Sequence, residues 1–259
     1  ERSILSQLFG QGYSQGAQFT YAMDNMRFMG GAFDGIGGQN NLSAGQYNSQ
    51  NTNWDNSSTN YAFAGRADFK MSGDWSQFDK FSNFTGEGSG MMAGVAVAYE
   101  RGNWNAGNSG TPPTSTSNNG VKEFGVTGDF TWDFGGASLF ASAVWVNSDD
   151  PNVSDTANPW GVSVQGGYFV TEEAELFARY EYINFDTPGG GDTSKYNGFT
   201  LGANYFFAKG VKATVDFTYN MKGLNGANGA AALNGAGLRT DAVGEDGQWA
   251  LRAQLQLLF

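Results

Sequence analysis

The chain of 259 residues contains no cysteine and no histidine. These absences exclude disulfide frameworks, thiol nucleophiles, imidazole bases and metal sites built from cysteine or histidine. Carboxylates, lysines, tyrosines and hydroxyls are what remain for chemistry, and they form no catalytic motif. The sequence therefore predicts a protein that is not an enzyme and that holds neither a cofactor nor a metal ion.

Charged residues are also scarce, at 15% of the chain, and the net charge is −11. Nucleic-acid binding needs a cationic surface, so this balance argues against a nucleic-acid partner. No run approaches the roughly 20 apolar residues of a membrane-spanning helix, and the mean hydropathy is −0.40. A transmembrane β-barrel is compatible with both observations, because its strands present an apolar side chain to lipid only at every second residue. Glycine is abundant, with 39 residues, and 15% of residues are aromatic, as expected for strands punctuated by glycine.

The last eleven residues alternate between apolar and polar side chains. One face carries Trp249, Leu251, Ala253, Leu255, Leu257 and Phe259. The other carries Ala250, Arg252, Gln254 and Gln256. This pattern predicts a strand with one apolar and one wet side. Its end is similar to the assembly signal of bacterial outer-membrane barrels, here Leu255, Leu257 and Phe259, and an ordinary half-buried edge strand is the alternative.

Eleven segments carry the strand pattern, and the intervals between them alternate short and long. The segments are 17–24, 26–34, 60–72, 90–101, 122–134, 136–148, 159–171, 174–186, 196–208, 209–221 and 247–259. Tight turns on one rim and long loops on the other are typical of an up-and-down outer-membrane barrel. The sequence therefore predicts an all-β, transmembrane, antiparallel β-barrel of the porin type. Residues 73–89 are long for the short-turn rim, and we expect a folded excursion with a short helix there.

The alternation also predicts which side of each strand faces lipid. In 122–134 the outward side chains include Phe124 and Trp132, and the inward ones include Glu123. Comparable patterns orient 60–72, 196–208 and 209–221. Segments 26–34 and 136–148 are apolar on both faces, so the sequence leaves their orientation open.

An up-and-down barrel has both chain ends on the same rim only when its number of strands is even. The first turn is short, so eleven strands would leave the two chain ends on opposite rims. Either residues 3–9 form a twelfth strand, or the chain is the C-terminal part of a larger barrel; the segment is short for a crossing of roughly 9 to 11 residues, which favours the second option. We expect one barrel domain over 1–259, with strands, turns and loops at 17–259 and an inward-folded loop or a partial strand at 1–16.

Several motifs, taken in order, resemble the phosphate-selective porin O/P family. They are Glu1-Arg2-Ser3, Gly16-Ala17-Gln18-Phe19, Met29-Gly30-Gly31-Ala32-Phe33-Asp34-Gly35, Gly166-Gly167-Tyr168-Phe169, Ala178-Arg179-Tyr180-Glu181-Tyr182 and Gly202-Ala203-Asn204-Tyr205-Phe206. The resemblance implies a homotrimer of sixteen-stranded barrels in the cell outer membrane, in contact with lipid and lipopolysaccharide, with this chain supplying the last eleven strands. It does not carry phosphate selectivity, because the family's arginines and lysine ladder lie in a part that precedes these motifs.

The inward positions predict the charges that line the pore. The basic set is Arg66, Lys70, Arg179, Lys212 and Arg252. The acidic set is Asp68, Asp129, Asp133, Glu181 and Asp216. Two arrangements follow: basic and acidic walls that face each other and give a transverse field, or local pairs that hold the wall rigid.

Three functions fit these observations in different degrees. The first is a water-filled porin for passive diffusion of small hydrophilic solutes or ions. The second is a structural outer-membrane barrel that contacts a surface layer or a partner protein through its long loops. The third, a barrel enzyme, lacks candidate residues.

Overall fold

The computed structural model describes residues 3–10, 14–33, 35, 59–80, 82–102, 121–149, 156–186, 195–208, 210–222, 238 and 247–257. Within these ranges the chain forms one helix of six residues, one 3₁₀ turn and eleven strands. The strands are β1 (Gly16–Ala22), β2 (Met26–Phe33), β3 (Thr59–Ser72), β4 (Ser89–Gly102), β5 (Val121–Phe134), β6 (Ala137–Asp149), β7 (Trp160–Phe169), β8 (Ala174–Asn184), β9 (Lys195–Ala208), β10 (Val211–Asn220) and β11 (Trp249–Leu257).

All eleven strands belong to one sheet in sequence order, and each is antiparallel to its neighbours. The predicted up-and-down architecture is therefore confirmed. Successive side chains alternate between two faces of the sheet because the strand repeat is two residues. One face, the apolar face, carries exposed side chains such as Phe19, Phe63, Tyr168, Leu201 and Leu251. The other, the polar face, carries buried side chains such as Asp68, Glu123, Arg179, Thr214 and Asp216.

The facing predicted for the C-terminal strand is confirmed over its described residues. Leu255 and Leu257 on the apolar face are 65% and 53% exposed. On β10, Lys212 and Asp216 are buried on the opposite face. Phe259 lies outside the described residues.

Strands β2 and β6, whose orientation the sequence left open, are now oriented. Arg27 of β2 forms an ion pair with Asp68, so its side of β2 belongs to the polar face. Val144 and Val146 of β6 lie on the polar face too, where they join an apolar cluster. On β6 these apolar residues lie where another segment of the chain covers the polar face.

One of these segments is a helix, α1 (Ile4–Phe9), which corrects the partial or twelfth strand considered for residues 3–9. Ser3 caps its first turn, since the Ser3 hydroxyl accepts a hydrogen bond from the Ser6 N–H at 2.9 Å. Ile4, Leu5 and Leu8 fall on one side and are buried. None of the described helices is both long and apolar enough to cross a membrane.

The connection between β3 and β4 is the second covering segment. Its described residues form a single 3₁₀ turn, Trp75–Gln77, in the excursion where a short helix was expected. The excursion begins at Gly73, whose φ of 86° lies in the left-handed region that favours glycine. We refer to residues 73–88, of which 81 is not described, as the rim segment, and to residues 3–10 as the helix insert.

Candidate functional site

The polar face of β3 to β5 carries a network of ion pairs centred on Arg66. Its guanidinium binds Asp129 through two hydrogen bonds of 2.6 and 2.9 Å and lies 2.7 Å from a carboxylate oxygen of Asp68. Arg27 holds the other oxygen of Asp68 at 3.0 Å. Such bidentate, charge-assisted pairs fix the planar guanidinium in one orientation.

The Arg66–Asp129 contact spans three strands because the residue between them has no side chain. Gly94 of β4 is the register partner of both Asp68 on β3 and Asp129 on β5. A Cβ atom on Gly94 would overlap the Nη2 atom of Arg66 and lie 2.9 Å from Oδ1 of Asp129. Glycine at this position therefore leaves the space through which the Arg66 side chain crosses β4.

The polar face of β8 to β11 carries two further arginines, each held by a neighbouring carboxylate. Arg179 Nε lies 3.0 Å from Glu181 Oε2, and both side chains are almost fully buried. Arg252 lies 2.6 Å from Asp216 and also donates to the Thr218 hydroxyl at 2.6 Å. Buried charges of this kind are stable only when paired, because the interior solvates them poorly.

The remaining predicted charges lie on the polar face in different surroundings. Lys212 is buried there. Lys70 places its ammonium over the ring of Trp75, 5.3 Å from the centroid. Asp133 accepts a hydrogen bond from Gln77 at 3.3 Å. The ion pairs that these charges form in the described residues join positions on one strand or on strands at most two apart, which favours the rigid-wall arrangement over a transverse field; that these residues line a pore stays a prediction.

Several residues on this face were not predicted from the sequence. Glu175 is buried and accepts hydrogen bonds from Ser82 at 2.6 Å and Asn204 at 2.7 Å. The signal was present in β8, where Glu175 shares the odd-numbered face with Arg179 and Glu181. Its partner on the rim segment, Ser82, lies outside any strand, so no alternation pattern predicted its contact with Glu175.

The helix insert is docked on the polar face of β6 to β9. Leu5 donates its backbone N–H to Glu181 Oε1 at 2.8 Å, so the helix shares the carboxylate that holds Arg179. Its apolar side packs in a buried cluster with Val144, Val146, Ile183, Phe185, Tyr196, Leu238 and Ala250. A Cβ on Gly161 would overlap Leu5 Cδ1, so this glycine makes room for the helix.

The rim segment is docked on the same face at the short-turn end. The ring of Phe84 packs against Phe169 and Phe206 at centroid distances of 5.3 and 4.9 Å. Asn83 Oδ1 accepts the backbone N–H of Gly136 in the β5–β6 turn at 2.9 Å. Two separate segments therefore cover parts of one polar face.

A cavity of about 380 Å³ lies between the end of the helix insert and β1 to β6. Its lining is mostly apolar, with Arg66, Glu123, Thr127 and Gln18 as the polar side chains. Cavities of roughly this size accommodate small ligands. No group of three or more metal-ligating side chains occurs in the described part of the chain.

No protein-family model and no curated protein matches this chain. Solved structures do match it. An anion-selective porin from Comamonas acidovorans is similar with a TM-score of 0.56 and 12% identity, over 98% of this chain and 65% of that one. Outer-membrane expressed OmpT of Vibrio cholerae is similar with a TM-score of 0.52 and 14% identity, over 93% of this chain and 63% of that one.

These likenesses establish the fold, an antiparallel up-and-down sheet of the outer-membrane porin type. The chain spans less than two thirds of the length of either structure. Membership of the phosphate-selective porin O/P family is not confirmed and stays a prediction.

Proposed function

We propose that this chain forms part of the wall of a water-filled outer-membrane channel through which small hydrophilic solutes or ions diffuse passively. The observation that carries the proposal is the inverted distribution of side chains across the sheet. Large apolar side chains are exposed on one face, and paired charges are buried on the other. Exposed apolar surface of this extent needs lipid or a partner to cover it.

The proposed mechanism needs no catalytic group and no cofactor. The antiparallel ladder satisfies the backbone hydrogen bonds inside the bilayer. The polar face supports a hydrated path, and its paired charges set the local potential that a passing ion meets. An outer-membrane location, contact with lipopolysaccharide and a homotrimer belong to the same proposal and follow from the resemblance.

Planar-bilayer recording of the purified full-length protein tests this function. We expect stepwise conductance increments as single molecules insert. A preparation that inserts into the bilayer and gives no increments contradicts the channel.

Ion selectivity tests the contribution of the polar face. Arg252→Glu reverses a charge beside Asp216, so we expect the reversal potential in a salt gradient to shift toward cation selectivity. Lys122→Glu makes the same charge change at an exposed position with the opposite facing in β5, and serves as the matched control. Equal reversal potentials for the two variants would leave Arg252 as a wall residue only.

A structural outer-membrane barrel is the second candidate. The observation that favours it is the pair of segments docked on the polar face, because both occupy space that a wide pore would leave to water. The same recordings separate the two candidates, since a structural barrel gives no increments.

A further inference from the structure

The rim segment reaches far from the strands that it connects. It leaves β3 and returns to β4, yet it contacts the β5–β6 turn at Gly136 and the ends of β7, β8 and β9 at Phe169, Glu175 and Phe206. Phe169, Glu175 and Phe206 share the polar face by their register. The segment therefore lies over the short-turn end of that face.

The site where the rim segment docks contains one apolar cluster within polar surroundings. Phe84 is buried between Phe169 and Phe206 and forms a cluster of three rings. The other contacts are hydrogen bonds to Asp133, to Glu175 and to the Gly136 N–H, and the cation–π contacts of Trp75. The apolar surface that undocking would expose is confined to the three rings, so the cost of opening is smaller than that of releasing an element with a larger apolar cluster.

The tip of the segment is cross-braced and is attached through flexible residues. Lys80 and Glu87 form an ion pair at 2.9 Å, and the Phe84 N–H donates to the Glu87 carboxylate at 3.1 Å. Gly73, with a φ of 86°, precedes the braced stretch, and Gly88 follows it. A braced tip can move as a unit when glycine positions absorb the change in φ and ψ.

We infer that the rim segment is a hinged plug that opens and closes the short-turn mouth of the proposed channel, with Phe84 as its latch. The inference rests on the proposed function. In the docked state the segment covers the polar face between β5 and β9. In the undocked state Phe169, Phe206 and Glu175 face water and the mouth is wider.

Cross-linking of the full-length protein tests the plug. Because the chain has no cysteine, Ser82→Cys with Glu175→Cys introduces a single thiol pair, at side chains that touch in the docked state. The undocked state, with its wider mouth, should give the larger of two conductance levels. A short, reductively cleavable bifunctional thiol reagent should abolish this larger level, and a reductant should restore it. Thiols at Thr171 and Glu173, which meet within the β7–β8 turn, provide the matched control and should leave conductance unchanged.

The latch itself is tested by Phe84→Ala. We expect this variant to occupy the larger conductance level for a greater fraction of the time. If the protein conducts, but neither the cross-link nor Phe84→Ala changes the conductance levels or the time spent in each, the plug is overturned and the channel stands.

Thiol labelling measures opening without any conductance. A single cysteine at Asn83, which is buried in the docked state and leaves the latch intact, should react with a water-soluble thiol reagent faster than a single cysteine at Leu8, which is fully buried on the docked side of the helix insert. Equal rates overturn the hinged plug. If labelling is faster at position 83 and no conductance is seen, the channel fails and the hinged segment stands.

Discussion

The helix insert and the rim segment cover the same polar face with different kinds of contact. The helix insert buries Ile4, Leu5 and Leu8 in a cluster that includes Val144 and Ile183. The rim segment buries Phe84 and relies otherwise on hydrogen bonds, the cation–π contacts of Trp75 and an internal ion pair. Since buried apolar area is the main source of docking free energy, the helix insert is the firmly held part and the rim segment the releasable one.

The comparison also explains the apolar residues on a face that is otherwise polar. Each covering segment has its own apolar seat: Val144, Val146 and Ile183 for the helix insert, Phe169 and Phe206 for Phe84. The apolar side chains at these positions of the polar face therefore belong to the docking sites of the two segments.

The largest effect is expected for Glu181→Ala. Glu181 accepts from Leu5 and pairs with the buried Arg179, so its removal leaves an uncompensated charge and releases the start of the helix insert. We expect a loss of about 3 to 5 kcal/mol in the free energy of unfolding, measured with urea in lipid or detergent. Glu172→Ala, in the exposed β7–β8 turn, is the control; equal losses in the two variants would contradict the role of Glu181.

Leu8→Ala weakens the helix insert without touching a charge. The Leu8 side chain is fully buried, and removing it costs about 2 to 5 kcal/mol in well-packed sites. Amide hydrogen exchange over residues 4–9 should accelerate while exchange in the rim segment stays the same. Ser6→Ala, at an exposed position of the same helix, should change neither; acceleration in both segments would mean that they are coupled rather than independent.

Gln77→Ala weakens the rim segment by a smaller amount. The Gln77 amide donates to the Gly88 carbonyl at 2.8 Å and to Asp133 at 3.3 Å, and both bonds can be replaced by water. We expect a loss of about 1 kcal/mol of local stability, seen as faster exchange of the Phe78 amide, which bonds to the Trp75 carbonyl. Ser76→Ala is the neighbouring control, and protection unchanged from the unmodified protein would show that Gln77 does not hold the segment.

The smallest effect is expected for Trp75→Leu. Its ring lies 4.9 Å from the Arg27 guanidinium carbon and 5.3 Å from the Lys70 ammonium. Exposed cation–π contacts contribute about 0.5 to 1 kcal/mol each, so the unfolding midpoint should fall slightly. Phe78→Leu removes an aromatic ring that has no such contact among the described pairs. An identical shift for the two variants would assign the effect to lost apolar area instead.

The strands could be predicted because their signal is local. The alternation in 209–221 and 247–259 defines both the strands and their faces, and β10 and β11 agree with it to within two residues at each described end. The helix insert could not be distinguished from a strand, since six residues with four apolar side chains suit either structure. Ser3 and the spacing of Ile4, Leu5 and Leu8 were the helix signal.

The ion pairs show what the sequence cannot supply. Arg66 and Asp68 are two residues apart on one strand, so their proximity was predictable. Arg66 and Asp129 are on strands separated by β4, and their contact depends on the register of three strands and on the glycine between them. The contacts of Phe84 depend likewise on a connection between β3 and β4 that reaches across the sheet to β7 and β9.

Gly94 has a consequence for how the sheet assembles. A slip of β4 by one residue would reverse its faces and is opposed by polarity, whereas a slip by two residues keeps the faces and is not. After a two-residue slip, Met92 or Ala96 would occupy the position beneath Arg66, and either side chain would block its path to Asp129. Gly94 thus makes the ion pair between Arg66 and Asp129 depend on register, because the pair forms only when the glycine lies between them.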